Sequence, residues 1–178
     1  MKRKSFIHAF SGFFEGNRKK NSTPVRIKAR EIDFQRAEIF LDDMYSLTGE
    51  DPDNLISVAS LVQMLYEDFL LQIRSHYQTE EMIKRLLEKR SVHHRHLTVE
   101  SEEDWIDMKW SALEIDMKRQ LALRGEVFLQ DLRLADSKFK MTLHELISIL
   151  FWDFIIEVRK GNQRNLIKLL LSRMRDWD

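Results

Sequence analysis

Two charged residues of the first half of the sequence, Arg36 and Asp68, recur at matching places in the second half. These four residues are the first candidates for chemistry. The stretch "RAEIFLDDM" (36–44) returns as "RGEVFLQDL" (124–132), with five of nine positions identical, and Asp68 returns as Asp153 in a second matching block. An ion is costly to bury without a partner. Neither aspartate has a cation four residues further along its helix, so each needs a partner from another helix. The repeat therefore predicts two structural ion pairs, Arg36 with Asp68 and Arg124 with Asp153.

A metal or acid–base site is the alternative use of the repeated carboxylates. Helical bundles that hold two metals also use a Glu-x-x-His motif, which occurs nowhere in this sequence. His93, His94 and His96 form a cluster without cysteine nearby, and we expect a solvated linker there rather than a metal site. Phosphate-loop, nucleophile-elbow and zinc-protease motifs are absent from the sequence. We expect no catalytic residue, metal or cofactor, with an enzyme that uses an unrecognised carboxylate site as an alternative.

The first thirty residues concentrate positive charge around a row of phenylalanines. They hold nine Lys or Arg and one acid, whereas residues 31–178 hold twenty bases and twenty-eight acids. Three uses of this segment stay open: docking on the body, phosphate binding on nucleic acid, and peripheral contact with a membrane. The candidate anchors share one helical face, and the candidate anion-binding residues flank them: Phe6, Phe10, Phe13 and Phe14, with Lys2, Arg3, Lys4, Arg18, Lys19 and Lys20.

The elements that position these residues also repeat. "SVASLVQMLYEDFLLQIR" (57–74) aligns with "TLHELISILFWDFIIEVR" (142–159), and "MIKRLL" (82–87) with "LIKLLL" (166–171), at separations of 88, 85 and 84 for the three blocks. Apolar residues at a helical period predict three helices in each half. Thr142 and Glu145 have the spacing of a capping box. The nearly all-apolar helix that follows predicts a central core helix.

Together these patterns predict an all-α protein of two homologous three-helix units that arose by internal duplication and pack as a pseudo-dimeric bundle. The expected boundaries are a basic N-terminal arm (1–29), unit 1 (30–90), a polar to acidic linker that becomes helical near Trp105 and Trp110 (91–113), and unit 2 (114–178). No apolar run is long enough for a transmembrane segment. We expect a cytoplasmic, non-catalytic interaction or regulatory protein that binds a protein partner through its helix faces. A nucleic-acid-associated factor that uses the arm is the main alternative.

Overall fold

The computed structural model describes residues 21–48, 56–75, 77–98 and 109–175, which form two strands and six helices. The order strand, helix, helix, helix occurs twice along the chain. The elements are β1 (Ser22–Arg30), α1 (Glu31–Thr48), α2 (Val58–Ser75), α3 (Thr79–Thr98), β2 (Trp110–Lys118), α4 (Arg119–Ala135), α5 (Leu143–Arg159) and α6 (Gln163–Arg175).

The two strands pair with each other and form an antiparallel two-stranded sheet, which we call the ribbon. Its register runs from Ser22 opposite Lys118 to Arg30 opposite Trp110. One face of the ribbon is buried, because side chains alternate between core and solvent along both strands. Each strand continues into a helix without a loop, since α1 begins directly after β1 and α4 directly after β2.

The central helix of the core is α5. Thr142 caps it: the Thr142 side chain accepts a hydrogen bond from the Glu145 N–H (3.2 Å), and the Glu145 carboxylate accepts one from the Thr142 N–H (2.9 Å). A helix with apolar residues on nearly every side must be surrounded by protein. It packs against β1 and all five other helices, so the predicted capping box and central core helix are both confirmed.

Aromatic pairs join the two halves of the chain into one core. Phe40 of α1 packs edge-to-face on Phe154 of α5, with ring centroids 5.2 Å apart. Phe128 of α4 packs in the same way on Phe69 of α2, at 5.5 Å. Full burial of such a side chain stabilises the fold by about 1.5–3 kcal/mol. Because both contacts join residues of different halves, the core forms only when both halves pack together.

The all-α prediction needs a correction, because the chain is mostly helical with one small sheet. β1 covers all of residues 22–29, which were expected to end the arm, and β2 begins where the linker was expected to become helical. The other end of that expected linker is helix, since α3 continues to Thr98. Trp110 is 58% exposed, and Trp105 lies outside the described residues. The strands form because each supplies the backbone hydrogen bonds that the other needs.

Candidate functional site

The outward face of the ribbon carries charged side chains at its centre. Arg26 and Lys28 alternate on β1 with the buried Val25, Ile27 and Ala29, and they are exposed. On β2 the exposed acidic residues are Glu114, which lies opposite Arg26, and Asp116, which lies opposite Pro24. The face therefore has two cations on β1, and two anions with the cation Lys118 on β2, with Ala112 opposite Lys28.

The free edge of β1 is closed by side chains from two helices. The backbone N–H of Arg26 donates to Nδ1 of His144 (2.9 Å), and that of Lys28 donates to Oγ of Ser148 (3.0 Å). Nε2 of His93 lies 3.2 Å from the Lys28 carbonyl oxygen, which can only accept, so this nitrogen carries the proton. An open strand edge can pair with further strands. These three bonds prevent a further strand from pairing with β1.

Buried polar groups from α3 and α1 support the closed edge. Burial lowers the pKa of His93 to about 4, against the opposing effect of its bond to the Lys28 carbonyl. Three residues further on, His96 stacks on Trp152 and its Nε2 lies 2.6 Å from the fully buried Asp33 carboxylate. The predicted solvated histidine linker is therefore wrong for His93 and His96. His94 stays exposed, 3.7 Å from Glu145.

The predicted ion pairs are wrong in their partners. Asp68 pairs with Arg173 of α6 at 2.8 Å, and burial raises its pKa while the Arg173 guanidinium lowers it. Asp153 pairs with Lys89 of α3. Each repeated aspartate thus finds a cation on the third helix of the opposite half.

The repeated arginines have different surroundings from those predicted. Arg36 bonds Asp33, one turn earlier in α1, at 2.9 Å. Arg124 lines an open groove of about 310 Å³ between α2, the end of β2 and the start of α4, which we call the basic groove. Its charged and apolar lining includes Glu67, Leu70, Arg74, Lys118, Leu121 and Arg124. Among the described residues, neither Arg74 nor Arg124 forms a salt bridge.

One face of α4 exposes large apolar side chains. Leu123, Val127 and Leu134 are 60%, 52% and 76% exposed. They follow one another at i, i+4 and i+11, with the uncharged Gln130 at i+7, so they form a single stripe along the helix. We call these three residues the α4 stripe.

The residues predicted for the arm lie outside the described part of the chain. They are Lys2, Arg3, Lys4, Phe6, Phe10, Phe13, Phe14, Arg18, Lys19 and Lys20. Within the described ranges, no three His, Asp or Glu side chains form a group that could hold a metal ion. A search of the same ranges finds no helix with the length and apolar character of a membrane span.

Comparison with known proteins gives no relative from which a function could be carried over. No family model, curated protein or solved structure matches this chain. The ribbon was missed as a site, although its alternation of Arg26 and Lys28 with apolar residues is visible in the sequence. The closed edge had no such signal, because His144 and Ser148 lie about 120 residues away from the strand that they bond.

Proposed function

We propose that this protein is a non-catalytic duplex-DNA-binding protein whose ribbon enters the major groove. The observation that carries the proposal is a ribbon two strands wide, with one face buried and a charged face exposed. The major groove, about 12 Å wide, admits a two-stranded ribbon. Because His144, Ser148 and His93 close the edge of β1, no third strand can pair on that side.

The outward side chains have the donors and acceptors that base edges require. Arginine and lysine donate to the O6 and N7 atoms of guanine, and carboxylates accept from the N4 amino group of cytosine. Arg26 and Lys28 on β1 would therefore favour guanine. Glu114 and Asp116 on β2 would favour cytosine, so we expect a DNA site rich in G·C pairs.

Most of the affinity for the phosphate backbone has to come from outside this face, since its three cations are largely offset by its two anions. Phosphate contacts supply most of the sequence-independent affinity for DNA. The six Lys and Arg of residues 1–20 precede Ser22, which lies at one end of the ribbon. We propose that this arm contacts phosphates beside the groove that the ribbon occupies.

We further propose that the two halves arose by duplication and form a pseudo-dimer. Ser22 and Trp110 start the two strands 88 positions apart, which is also the separation of Arg36 from Arg124. Arg26 and Glu114, likewise 88 apart, lie opposite each other, as they would on a two-fold axis. The pairs Phe40–Phe154 and Phe128–Phe69 support the same relation. Superposition of residues 31–90 on 114–178 stays a prediction.

The ion pairs support this pseudo-dimer independently of the aromatic pairs. Asp68 and Asp153 are 85 positions apart, and their partners Arg173 and Lys89 are 84 apart. These are the separations of the second and third repeated blocks, so a two-fold relation exchanges one ion pair for the other. The aspartate therefore recurs because each half forms an ion pair with the other half.

Fluorescence anisotropy with labelled duplexes tests the DNA proposal. Duplexes selected from a random pool should bind more tightly than random duplexes, and binding should weaken as salt increases. The double variant Arg26→Ala/Lys28→Ala should lose about tenfold or more of this discrimination, because one good base contact is worth about 1–3 kcal/mol. The matched control Arg164→Ala/Lys168→Ala removes two exposed cations of α6 and should retain it.

Two results would reject the DNA proposal. One is no salt-dependent binding of duplex DNA by the full chain. The other is equal loss of discrimination in the ribbon variant and the α6 control. Circular dichroism of both variants checks that each is folded.

A second function, binding of a protein partner, is supported by the α4 stripe, whose three apolar residues are exposed. A partner captured by the full chain from the cytoplasm of its native cell should be lost with Leu123→Ser/Val127→Ser. It should be kept with Gln35→Ser/Asp42→Ser, which alters the outer face of α1. Capture that is equal in both variants would reject this function. We propose a cytoplasmic, regulatory role for either activity.

A further inference from the structure

Helix α4 has two apolar faces, and only one of them lies in the core. Phe128, Leu129 and Leu132 are buried, whereas the α4 stripe on the other side of the helix is exposed. A surface helix of a globular protein typically has a single apolar face, which is directed at the core. Exposed apolar side chains that adjoin one another mark a site of interaction. The outer face of α4 therefore has the character of an interface.

The repeat-related face of α1 has a different composition. The separation of 88 positions relates the outer face of α4 to Gln35, Ile39, Asp42 and Ser46 of α1, and only Ile39 among them is apolar. All four are exposed. The packing of the two halves therefore does not require an apolar outer face, and the stripe belongs to α4 alone.

The stripe and Gln130 have the spacing of a coiled-coil seam. Leu123, Val127, Gln130 and Leu134 follow one another at intervals of four, three and four residues, which is the spacing of the core positions of a heptad repeat. An antiparallel pair of α4 helices centred on the middle of this seam would place Leu123 opposite Leu134 and Val127 opposite Gln130. A single polar residue in a seam fixes the register of the two helices. This register uses the whole exposed stripe.

The charges beside the seam are complementary to a second copy of α4 in the antiparallel orientation. At 100° per residue, Arg124 and Asp131 lie on one flank of the seam, and Glu126 and Arg133 lie on the other. A two-fold axis across two antiparallel helices brings each flank against the same flank of the second copy. Arg124 then lies within about 3 Å, measured along the helix, of the level of Asp131 in the second copy, and Glu126 lies equally near the level of Arg133. Four ion pairs can therefore form in one dimer.

A parallel pair of α4 helices would bring unlike flanks together. Glu126 would then lie beside Asp131 of the second copy, carboxylate against carboxylate. Charges that flank a seam set the choice of partner and its orientation. The sequence of α4 therefore favours its own antiparallel copy and disfavours the parallel arrangement.

The four flanking side chains are placed so that a second copy can reach them. Arg124, Glu126 and Asp131 are exposed. Arg133 is half-buried, and its guanidinium donates to the Gln130 side chain (3.2 Å) and to the Met141 carbonyl (2.8 Å). A guanidinium has five N–H donors, so these two bonds hold the group beside the seam and leave donors for a carboxylate.

We propose that the α4 stripe binds the α4 stripe of a second copy of this chain, with the two helices antiparallel. This inference rests on the second proposed function, in which the stripe binds a protein partner, and it names that partner. Each copy contributes three apolar side chains, which is far fewer than the 20–30 residues that a stable interface buries on each side. The dimer is therefore in equilibrium with the monomer and depends on protein concentration.

Sedimentation velocity of the full chain, from about 1 μM to about 1 mM, measures this self-association. The share of dimer should rise with concentration across the range. Leu123→Ser/Val127→Ser should stay monomeric, because it removes two of the three apolar side chains of the stripe. The control Gln35→Ser/Asp42→Ser alters the repeat-related positions of α1 and should dimerise like the wild type. Circular dichroism checks that each variant is folded.

Charge exchange tests the antiparallel arrangement. Arg124→Glu alone and Asp131→Arg alone each place like charges together at two contacts of the dimer, so each should weaken self-association by about tenfold or more. A mixture of the two variants should associate about as tightly as the wild type, because both contacts then join opposite charges. Asp43→Arg, the repeat-related control for Asp131→Arg, should leave self-association unchanged.

Three results would overturn the inference. They are a chain that stays monomeric at every concentration, a dimer that Leu123→Ser/Val127→Ser retains, and a mixture of the charge variants that associates no better than either variant alone. If the chain is monomeric but captures a cellular partner that Leu123→Ser/Val127→Ser loses, the stripe binds a different protein. The second proposed function then stands and only the self-association is rejected.

Discussion

Protonation of His93 should destabilise the protein in mildly acidic solution. Its pKa is about 4 in the folded chain, because burial disfavours the charged ring. The ordinary value for an unfolded chain is about 6.5. As the pH falls through this window, the unfolded chain binds the proton before the folded chain does. His93 therefore contributes stability that is complete above pH 6.5 and is lost as the pH falls towards 4.

The size of the loss follows from the two pKa values. A tenfold difference in proton affinity corresponds to about 1.4 kcal/mol, so the whole window is worth about 3 kcal/mol. Between pH 7 and pH 5 the share of His93 is about 2 kcal/mol. The pKa of His93 also responds to the charges of His94, His96 and Asp33. The contribution of His93 to stability must therefore be isolated by substitution.

Urea unfolding of the wild type and His93→Gln at pH 7 and pH 5 isolates the contribution of His93 to the free energy of unfolding. Glutamine can still donate to the Lys28 carbonyl, but it does not titrate. The free energy of unfolding should fall by about 2 kcal/mol more in the wild type than in the variant. Equal losses in the two proteins would refute the reasoning, as would an NMR titration that places the His93 pKa near 6.5.

Three further predictions concern packing between the halves. A double-mutant cycle on Asp68→Ala and Arg173→Ala should give a coupling energy of about 0.5–1 kcal/mol for this partly exposed pair. The effects of Asp68→Ala and Arg36→Ala on stability should instead be additive. Coupling between Asp68 and Arg36, with none between Asp68 and Arg173, would restore the pairing predicted from the sequence. Gly125→Ala should destabilise by about 1–3 kcal/mol, because the new methyl group would meet the Tyr66 hydroxyl and lie 2.7 Å from Leu143. In thermal melts, Gly125→Ala should destabilise the protein less in a Tyr66→Phe background. An equal loss of stability in both backgrounds would mean that the Tyr66 hydroxyl is not the cause. Phe40→Ala and Phe128→Ala should each cost about 3–5 kcal/mol in urea unfolding, and a large difference between them would count against equivalent positions.

The helices could be predicted from the sequence because their signals are local. Apolar spacing predicted all six, and Thr142 with Glu145 predicted the start of α5. Asp68 and Asp153 were also rightly expected to need a cation from another helix. The identity of that cation depends on which third helix packs beside which second helix, and no local pattern of charge specifies it.

The ribbon required information from two distant segments. β1 and β2 are short, and each alternates apolar and charged residues, so each alone is compatible with a loop or an edge. Their pairing joins residues as far apart as Ser22 and Lys118. Burial of His93 likewise depends on the Lys28 carbonyl of β1. The candidate site was missed because it forms only when both halves meet.

Photocrosslinking from the exposed face of the ribbon tests the central claim most directly. The photoreactive residue p-benzoylphenylalanine replaces Ala112, which lies opposite Lys28 and is exposed. A control protein carries it in place of Leu134, which is also exposed (76%) but lies on the α4 stripe. With a selected duplex, the account predicts crosslinks to DNA from position 112 and not from position 134. Crosslinks from position 134 alone, or from neither position while the duplex is bound, would contradict it.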